Sequence, residues 1–335
     1  MRSAVIAGIG SYLPPTLVTN DDLAARLDTS DEWIRTRTGM AVRHVVDPGD
    51  ATSDLAVEAG RRALASAGGG GADALILATT TPDHQVPPTA PEIATRLGLG
   101  TLAAFDLSAA CAGFLYGLTC ASGLIATGAA ERVLLIGADA FTTMVDPDDR
   151  GTVVLFGDAA GAVLLRAGAA DEPGAVAMPV LGSDGSLADL IKVPAGGSRS
   201  RSSGPPSKQP DPGDVYFTMN GRETFRHAVR RMSEASREAV TRAGWDLTGV
   251  DRLAAHQANS RILAAVADEL GFEPERQLSN IAEVGNTAAA SLPTLLAHSA
   301  ADGSLRAGHR VLLTAFGGGL SWGAATLTWP DVTVG

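Results

Sequence analysis

Two segments of the chain match each other in register. Glu58-Ala-Gly-Arg-Arg-Ala-Leu-Ala-Ser-Ala-Gly68 and Glu234-Ala-Ser-Arg-Glu-Ala-Val-Thr-Arg-Ala-Gly244 share Glu, Ala, Arg, Ala, Ala and Gly at matched positions. Each reads as a helix closed by glycine. A short apolar run follows each, ADALILATT at 72–80 and VDRLAAHQA at 250–258. Arg132-Val-Leu-Leu135 returns as Arg310-Val-Leu-Leu313, and the two lead on to Phe156-Gly157-Asp158 and Phe316-Gly317-Gly318-Gly319. Helices alternating with short apolar strands build sheets that are covered on both faces. The chain is therefore expected to be a duplicated α/β unit, with halves at 1–170 and 171–335 packed about a pseudo-twofold axis.

The remaining composition narrows the class. With 335 residues, 45% of them apolar and only 4% aromatic, the chain can bury a large core of closely packed helices. A net charge of −11 argues against general affinity for nucleic acid, and an acidic partner would need a local basic patch. Two cysteines supply neither a disulfide framework nor a metal-ligand cluster, so a reducing cytoplasm is expected. The opening MRSAVIAGIGSYLPP reads as a first strand rather than a signal peptide, and no run approaches the ~20 apolar residues of a membrane span. Gly8-Ile-Gly10 fails as a dinucleotide fingerprint because Leu13 replaces the last glycine. Asp146-Pro-Asp-Asp-Arg-Gly151 fails as a calcium loop, since Arg150 takes a ligand position and Gly157 stands where a glutamate is needed. Segment 194–214 is too long and polar for an ordinary connection, and a lid and simple disorder both remain open.

Within this frame DLSAACAGFLYGL, 106–118, places Cys111 at the start of the helix before the first RVLL strand. Asn286, in EVGNTAAASLP, is expected to open the helix before the second, and His256 falls just after the strand whose first-half counterpart ends near Ala78. Facing helix starts would bring Cys, His and Asn together. A helix start stabilises a thiolate and lowers its pKa, and two side-chain N–H donors would hold a developing enolate. Each residue also has a bland reading: Cys111 as apolar filler, Asn286 as a helix cap, His256 as a hydrogen-bonded structural histidine. Cys120, inside the same helix, keeps the filler reading.

Several motifs in order resemble the β-ketoacyl-acyl-carrier-protein synthase III family of thiolase-superfamily condensing enzymes: DTSDEWIRTRTGM (28–40), DLSAACAGF, DPDDRGTVVLFGDAAGA (146–162), TMNGRETF (218–225), HQANSRI (256–262), GNTAAAS (285–291) and AFGGGLSWG (315–323). The resemblance implies a thiolase-like fold of five layers, αβαβα. It implies that Cys111 is the acylated nucleophile, that His256 and Asn286 form the decarboxylation site, and that the N–H groups of Cys111 and Gly318 make the oxyanion hole. Trp33 and Arg150 match positions that sandwich the coenzyme A adenine, with Arg37 beside them, and Asn259 lines the pantetheine tunnel. Phe316 would sit against the catalytic centre at the acyl pocket. Val86 falls near the loop that crosses a homodimer interface to close the partner's acyl pocket, and its small size suggests that propionyl or branched starters are accepted besides acetyl.

The implied reaction is a decarboxylative condensation of an acyl-CoA starter with malonyl-carrier protein, through an acyl-Cys111 intermediate and without metal or redox cofactor, at the start of fatty-acid synthesis. Priming ketosynthases or acyltransferases of secondary pathways, and a non-catalytic scaffold, are the alternatives. Thiolases carry a second cysteine where this chain has Phe316-Gly, the glutamate of hydroxymethylglutaryl synthases has no counterpart, and plant-type polyketide synthases differ in the FGGGLSWG loop. Arg222, Arg226 and Arg230 recur on a predicted helix opposite a stripe of Phe225, Val229 and Met232. Such a row reads as a solvated face or, with Arg261, as the docking surface for an acidic carrier protein. Asp268-Glu269 stands where some relatives have a lysine pair.

Overall fold

The computed structural model describes residues 2–202 and 211–335, so part of the 194–214 segment lies outside the described residues. Five strands form the first sheet: β1 (Ser3–Tyr12), β2 (Ala74–Ala78), β3 (Ala103–Leu107), β4 (Arg132–Asp139) and β5 (Ala159–Gly168), in the order β1-β5-β4-β2-β3. The second sheet holds β6 (Val180–Ser183), β7 (Arg252–Ala255), β8 (Arg310–Gly317) and β9 (Ser321–Thr328), in the order β7-β8-β9-β6. β2 is parallel to β3 and β4, and β7 is parallel to β8; β5 and β9 run antiparallel to both their neighbours.

Six helices matter for the site: α1 (Asp31–Thr38), α2 (Thr52–Ser66), α3 (Gly113–Ala126), α4 (Gly221–Arg242), α5 (Ser260–Leu270) and α6 (Ser291–Ala301). The repeated helices α2 and α4 are each followed by a glycine with positive φ, Gly68 at 78° and Gly244 at 71°, as the sequence repeat implies.

Helices α3 and α6 lie between the sheets. Phe114, Leu118 and Ile125 of α3 share one core with Leu292 and Leu295 of α6, Val133 and Leu135 of the first sheet, and Val311 and Leu313 of the second. Each such fully buried side chain contributes ~1.5–3 kcal/mol, so this middle layer holds the two sheets together. On the far side of the first sheet α2 packs Leu55, Ala59 and Ala63 against Leu75, Leu77 and Leu134. On the far side of the second, α4 and α5 pack Met232, Ala235, Val266 and Leu270 against Leu253 and Leu312. The layers are αβαβα.

Gly8 and Gly10 serve packing. A Cβ at Gly8 would stand 2.4 Å from the Ala63 carbonyl oxygen, so their absence lets α2 lie directly on β1. The stripe expected on α4 is displaced. Its buried residues include Thr224, Ala228, Met232, Ala235 and Ala239, whereas Phe225 is 36% exposed.

Candidate active site

Cys111 follows β3 in a short 3-10 turn, Ala110–Ala112, that runs straight into α3. Ala110 has φ 46°, a left-handed conformation that costs an alanine ~1–2 kcal/mol. Gly317, at the end of β8, lies against this turn, and a Cβ there would come 2.6 Å from the Cys111 nitrogen. The Cys111 N–H donates to no carbonyl among the described residues and remains available to a ligand.

Asn286 is held by a Phe-Gly element from the other half. Its N–H donates to the Leu155 carbonyl at 2.8 Å, and its carbonyl accepts from Gly157 N–H at 3.0 Å. Its side-chain Oδ1 accepts from Ala288 N–H at 3.0 Å, which leaves the Nδ2 hydrogens to be donated. The expected helix start is corrected here. A turn at Ala288–Ala290 separates Asn286 from α6, and Ala288 repeats the left-handed φ of Ala110 at 48°. Cys111 and Ala289 are spaced as the two RVLL strands are spaced, so Ala289 is the counterpart of Cys111 and Asn286 is the counterpart of Ser108.

His256 follows β7 and is tied to β8 by its N–H, which donates to the Thr314 carbonyl at 2.8 Å. The ring is 2% exposed and its Nδ1 has no hydrogen-bond partner. Burial pushes its pKa down to about 4, so the imidazole is neutral near pH 7. The neighbouring Gln257, which the motif reading passed over, is fully buried. Its N–H donates to Ser291 Oγ at 2.8 Å, and its Oε1 accepts from Ser279 Oγ at 2.9 Å, fixing the loop on the segment before Asn286.

Cys111, His256, Asn286, Phe316 and Gly318 line one cavity of about 890 Å³. Phe141 stacks on Phe156 at 4.3 Å, Phe217 meets both edge-on, and all three also line it. Trp33, Arg37, Asn259, Arg222, Arg226 and Arg261 line it as well. Trp33 is set by the start of α1, where Ser30 Oγ accepts its N–H at 3.1 Å, and the Arg37 and Arg150 guanidinium groups each lie 5.1 Å from its ring centroid. Asn259 also caps α5 by accepting Arg261 N–H at 2.9 Å.

Three expected site residues do not line the cavity. Arg150 is anchored on Trp33 and on the Asp28 carbonyl, Arg230 is turned to Glu234 at 2.8 Å, and Val86 is 85% exposed. The expected lowering of the Cys111 pKa is also overturned. Burial pushes the thiol up to about 12, Asp139 adds to the rise, and the cysteine's own N–H opposes it only in part. The resting group is a thiol, beside a backbone N–H that no carbonyl among the described residues claims.

Family models described as 3-oxoacyl-[acyl-carrier-protein] synthase III and its C-terminal part match residues 105–185 and 240–329. A β-ketoacyl-[acyl-carrier-protein] synthase III of Streptomyces coelicolor is 57% identical over 333 residues, covering 99% of this chain and 98% of the relative. The crystal structure of 3-oxoacyl-(acyl carrier protein) synthase III from Pseudomonas aeruginosa superposes with a TM-score of 0.92 at 49% identity, over 99% of this chain and 100% of that one. The priming β-ketosynthase of the R1128 polyketide pathway superposes with a TM-score of 0.90 at 33% identity, over 99% and 98%. Fold, cavity and likeness over nearly the whole length agree: the chain belongs to the β-ketoacyl-acyl-carrier-protein synthase III family, the acyltransferases that begin fatty-acid synthesis.

Proposed function

We propose that Cys111 takes an acyl group from acyl-CoA and that His256 and Asn286 drive the decarboxylation of malonyl-carrier protein. The observation that carries this reading is the convergence in one cavity of a cysteine with a free backbone N–H, a neutral unpartnered imidazole and an amide with unclaimed N–H donors.

In the first half-reaction the Cys111 sulfur bonds to the thioester carbon while the Cys111 and Gly318 N–H groups hold the carbonyl oxygen. Coenzyme A leaves with the proton. In the second, carbon dioxide departs from the malonyl group, and the enolate oxygen is held by the Nδ2 of Asn286 and a ring N–H of His256. The enolate carbon attacks the acyl group and yields a 3-oxoacyl carrier, and the Cys111 thiolate released takes a proton from solvent to return to the resting thiol. These steps use only side chains and backbone of this chain, so the reading needs no metal or redox cofactor.

Trp33, Arg37 and Arg150 would bind the nucleotide end of coenzyme A, and Asn259 the pantetheine arm. Arg222 and Arg261, without an ion-pair partner among the described residues, and Arg226, beside Glu223, would receive the acidic carrier. A homodimer is supported by β3, which ends the first sheet with an unpaired edge and a 36% exposed Phe105. Val86, exposed on its own chain, would reach the partner's acyl pocket in such a dimer and leave room for propionyl or branched starters. No helix among the described residues is long and apolar enough to cross a membrane.

The test is the intact mass of malonyl-loaded carrier after incubation with enzyme and a panel of acyl-CoAs. A decarboxylated, extended carrier that vanishes with Cys111→Ala is the expected result. Carrier left unextended beside an acylated enzyme would defeat the reading.

A further inference from the structure

Asp139, the last residue of β4, is fully buried and is not among the residues that line the cavity. Its partners come from two places. Oδ2 accepts the Ala289 N–H at 2.9 Å, in the turn after Asn286. Oδ1 accepts the Thr80 N–H and the Thr80 hydroxyl, both at 2.7 Å, with the Thr79 and Thr81 hydroxyls at 3.2 Å. No Arg or Lys pairs with it among the described residues, so neutral donors alone support this carboxylate. A buried carboxylate without a counter-ion is expensive, and a neutral residue would fill the space at lower cost.

Its position in the repeat gives the carboxylate a specific task. Ala288 N–H is claimed by Asn286 Oδ1, and the next amide, Ala289 N–H, is claimed by Asp139. The two bonds fix successive peptide planes of one turn, and with them the rotation of the Asn286 amide that leaves Nδ2 free. Gly317 occupies the Asp139 position in the other half, and there the matching amide, that of Cys111, stays open. The same carboxylate also holds Thr80, which lines the cavity.

We propose that Asp139 is the positioning residue of the decarboxylation site: from the N-terminal half it pins the turn that orients Asn286 in the C-terminal half, and acyl transfer to Cys111 does not depend on it. This rests on the roles given above to Asn286 and Cys111.

Asp139→Asn keeps the shape but cannot accept from both Thr80 and Ala289 through both ends of the side chain. Decarboxylation of malonyl-carrier protein should fall about 10- to 100-fold, the scale of a misplaced catalytic group, with the loss in kcat rather than KM. Acylation of Cys111 by acyl-CoA, read by intact mass, should not fall, because no oxyanion donor has moved and loss of the Asp139 charge eases ionisation of the thiol. Asp139→Glu, which keeps the charge on a longer arm, should show the same split. Equal loss in both half-reactions, no loss in either, or failure of both variants to fold would overturn the proposal and leave Asp139 a structural residue. Asn286→Ala is measured alongside. If it retains decarboxylation, the site assignment itself fails; if it loses it while Asp139→Asn does not, only the positioning role fails.

Discussion

The turn before α3 and the turn before α6 share a backbone and differ in what their amides meet. Ala110 and Ala288 adopt φ 46° and 48° at matched positions, and each is followed by two more turn residues and a helix packed between the two sheets. The second turn has its Ala289 N–H taken by Asp139. The first faces Gly317, and its Cys111 N–H is left open. One copy of the duplicated turn is thereby satisfied and rigid, and the other has a vacant donor beside a thiol. Two strained alanines, each costing ~1–2 kcal/mol, hold the same conformation in both halves, whereas only one of the two turns keeps its amide open.

The strongest way to break the contrast is Gly317→Ala. Its Cβ would come 2.6 Å from the Cys111 nitrogen and 3.1 Å from the Ala110 Cβ, so the turn must move. Displacing one oxyanion donor costs on the order of 10²–10³ in rate. Acylation of Cys111, followed by the appearance of acyl-enzyme mass, should fall by that factor, at a cost of ~1–3 kcal/mol of stability from overpacking. Near-normal acylation would mean that the close approach of β8 is not what keeps the amide open.

The second contrast lies one strand away, where Ala78 of β2 is the counterpart of His256. Burial lowers the folded-state pKa of His256 from an ordinary value of 6.5 to about 4. The unfolded chain therefore binds the extra proton between those values, and stability present above pH 6.5 is lost as the pH falls towards 4. The size is about 3 kcal/mol. Asp139 and Asp158, whose pKa values burial raises, act in the opposite sense. Denaturant melts of wild type and His256→Gln at matched pH cancel those carboxylates, and the difference should be smallest below pH 4, grow up to pH 6.5 and level off above it. A flat difference would mean that His256 is not held neutral by burial.

Much of this organisation is legible in the chain because duplication writes itself twice: the paired helices, the RVLL strands and the small residues before α3 and α6 all carry local signals. Cys111 and His256 are legible as residue types at a helix start and a strand end, and Asn286 by its type and its place before the small-residue run, although the turn that separates it from α6 is not. Asp139 is not, because a lone Asp at the end of an apolar strand looks like any solvated strand end, and its donors come from residues far away in sequence. The raised thiol pKa is hidden from the sequence for a related reason. A helix start is visible in sequence, whereas the burial that outweighs it depends on both halves closing over the site. The core stripe of α4 departs from its apolar pattern because Phe225, apolar by type, faces the cavity rather than the core.

Gly137→Ala is the mirror of Gly317→Ala. Gly137 lies in β4, and a Cβ there would come 2.4 Å from the Ala289 carbonyl oxygen, pressing on the turn that Asp139 pins. Overpacking of this kind costs ~1–3 kcal/mol of stability. Condensation should fall about 10- to 100-fold through Asn286, while acylation of Cys111 is spared, the reverse of the Gly317→Ala pattern. If both glycine variants lose acylation equally, the two turns are not independent.

The smallest effect sharpens the comparison at the cavity mouth. Arg261 lines the cavity without an ion-pair partner among the described residues, whereas Arg230 is tied to Glu234 at 2.8 Å and faces away from it. A free guanidinium can give its full charge to an acidic partner, but one already paired has little left to offer, and exposed pairs are worth ~0–1 kcal/mol. Arg261→Glu should therefore raise KM for malonyl-carrier protein about 3- to 10-fold at low salt, and less as added salt screens the surface. Arg230→Glu should change it by less than about 2-fold. Acylation by acyl-CoA in the absence of carrier separates docking from damage to the tunnel that Arg261 also lines. A rise in KM for acyl-CoA as large as that for the carrier would move Arg261 from the docking surface to the coenzyme A site.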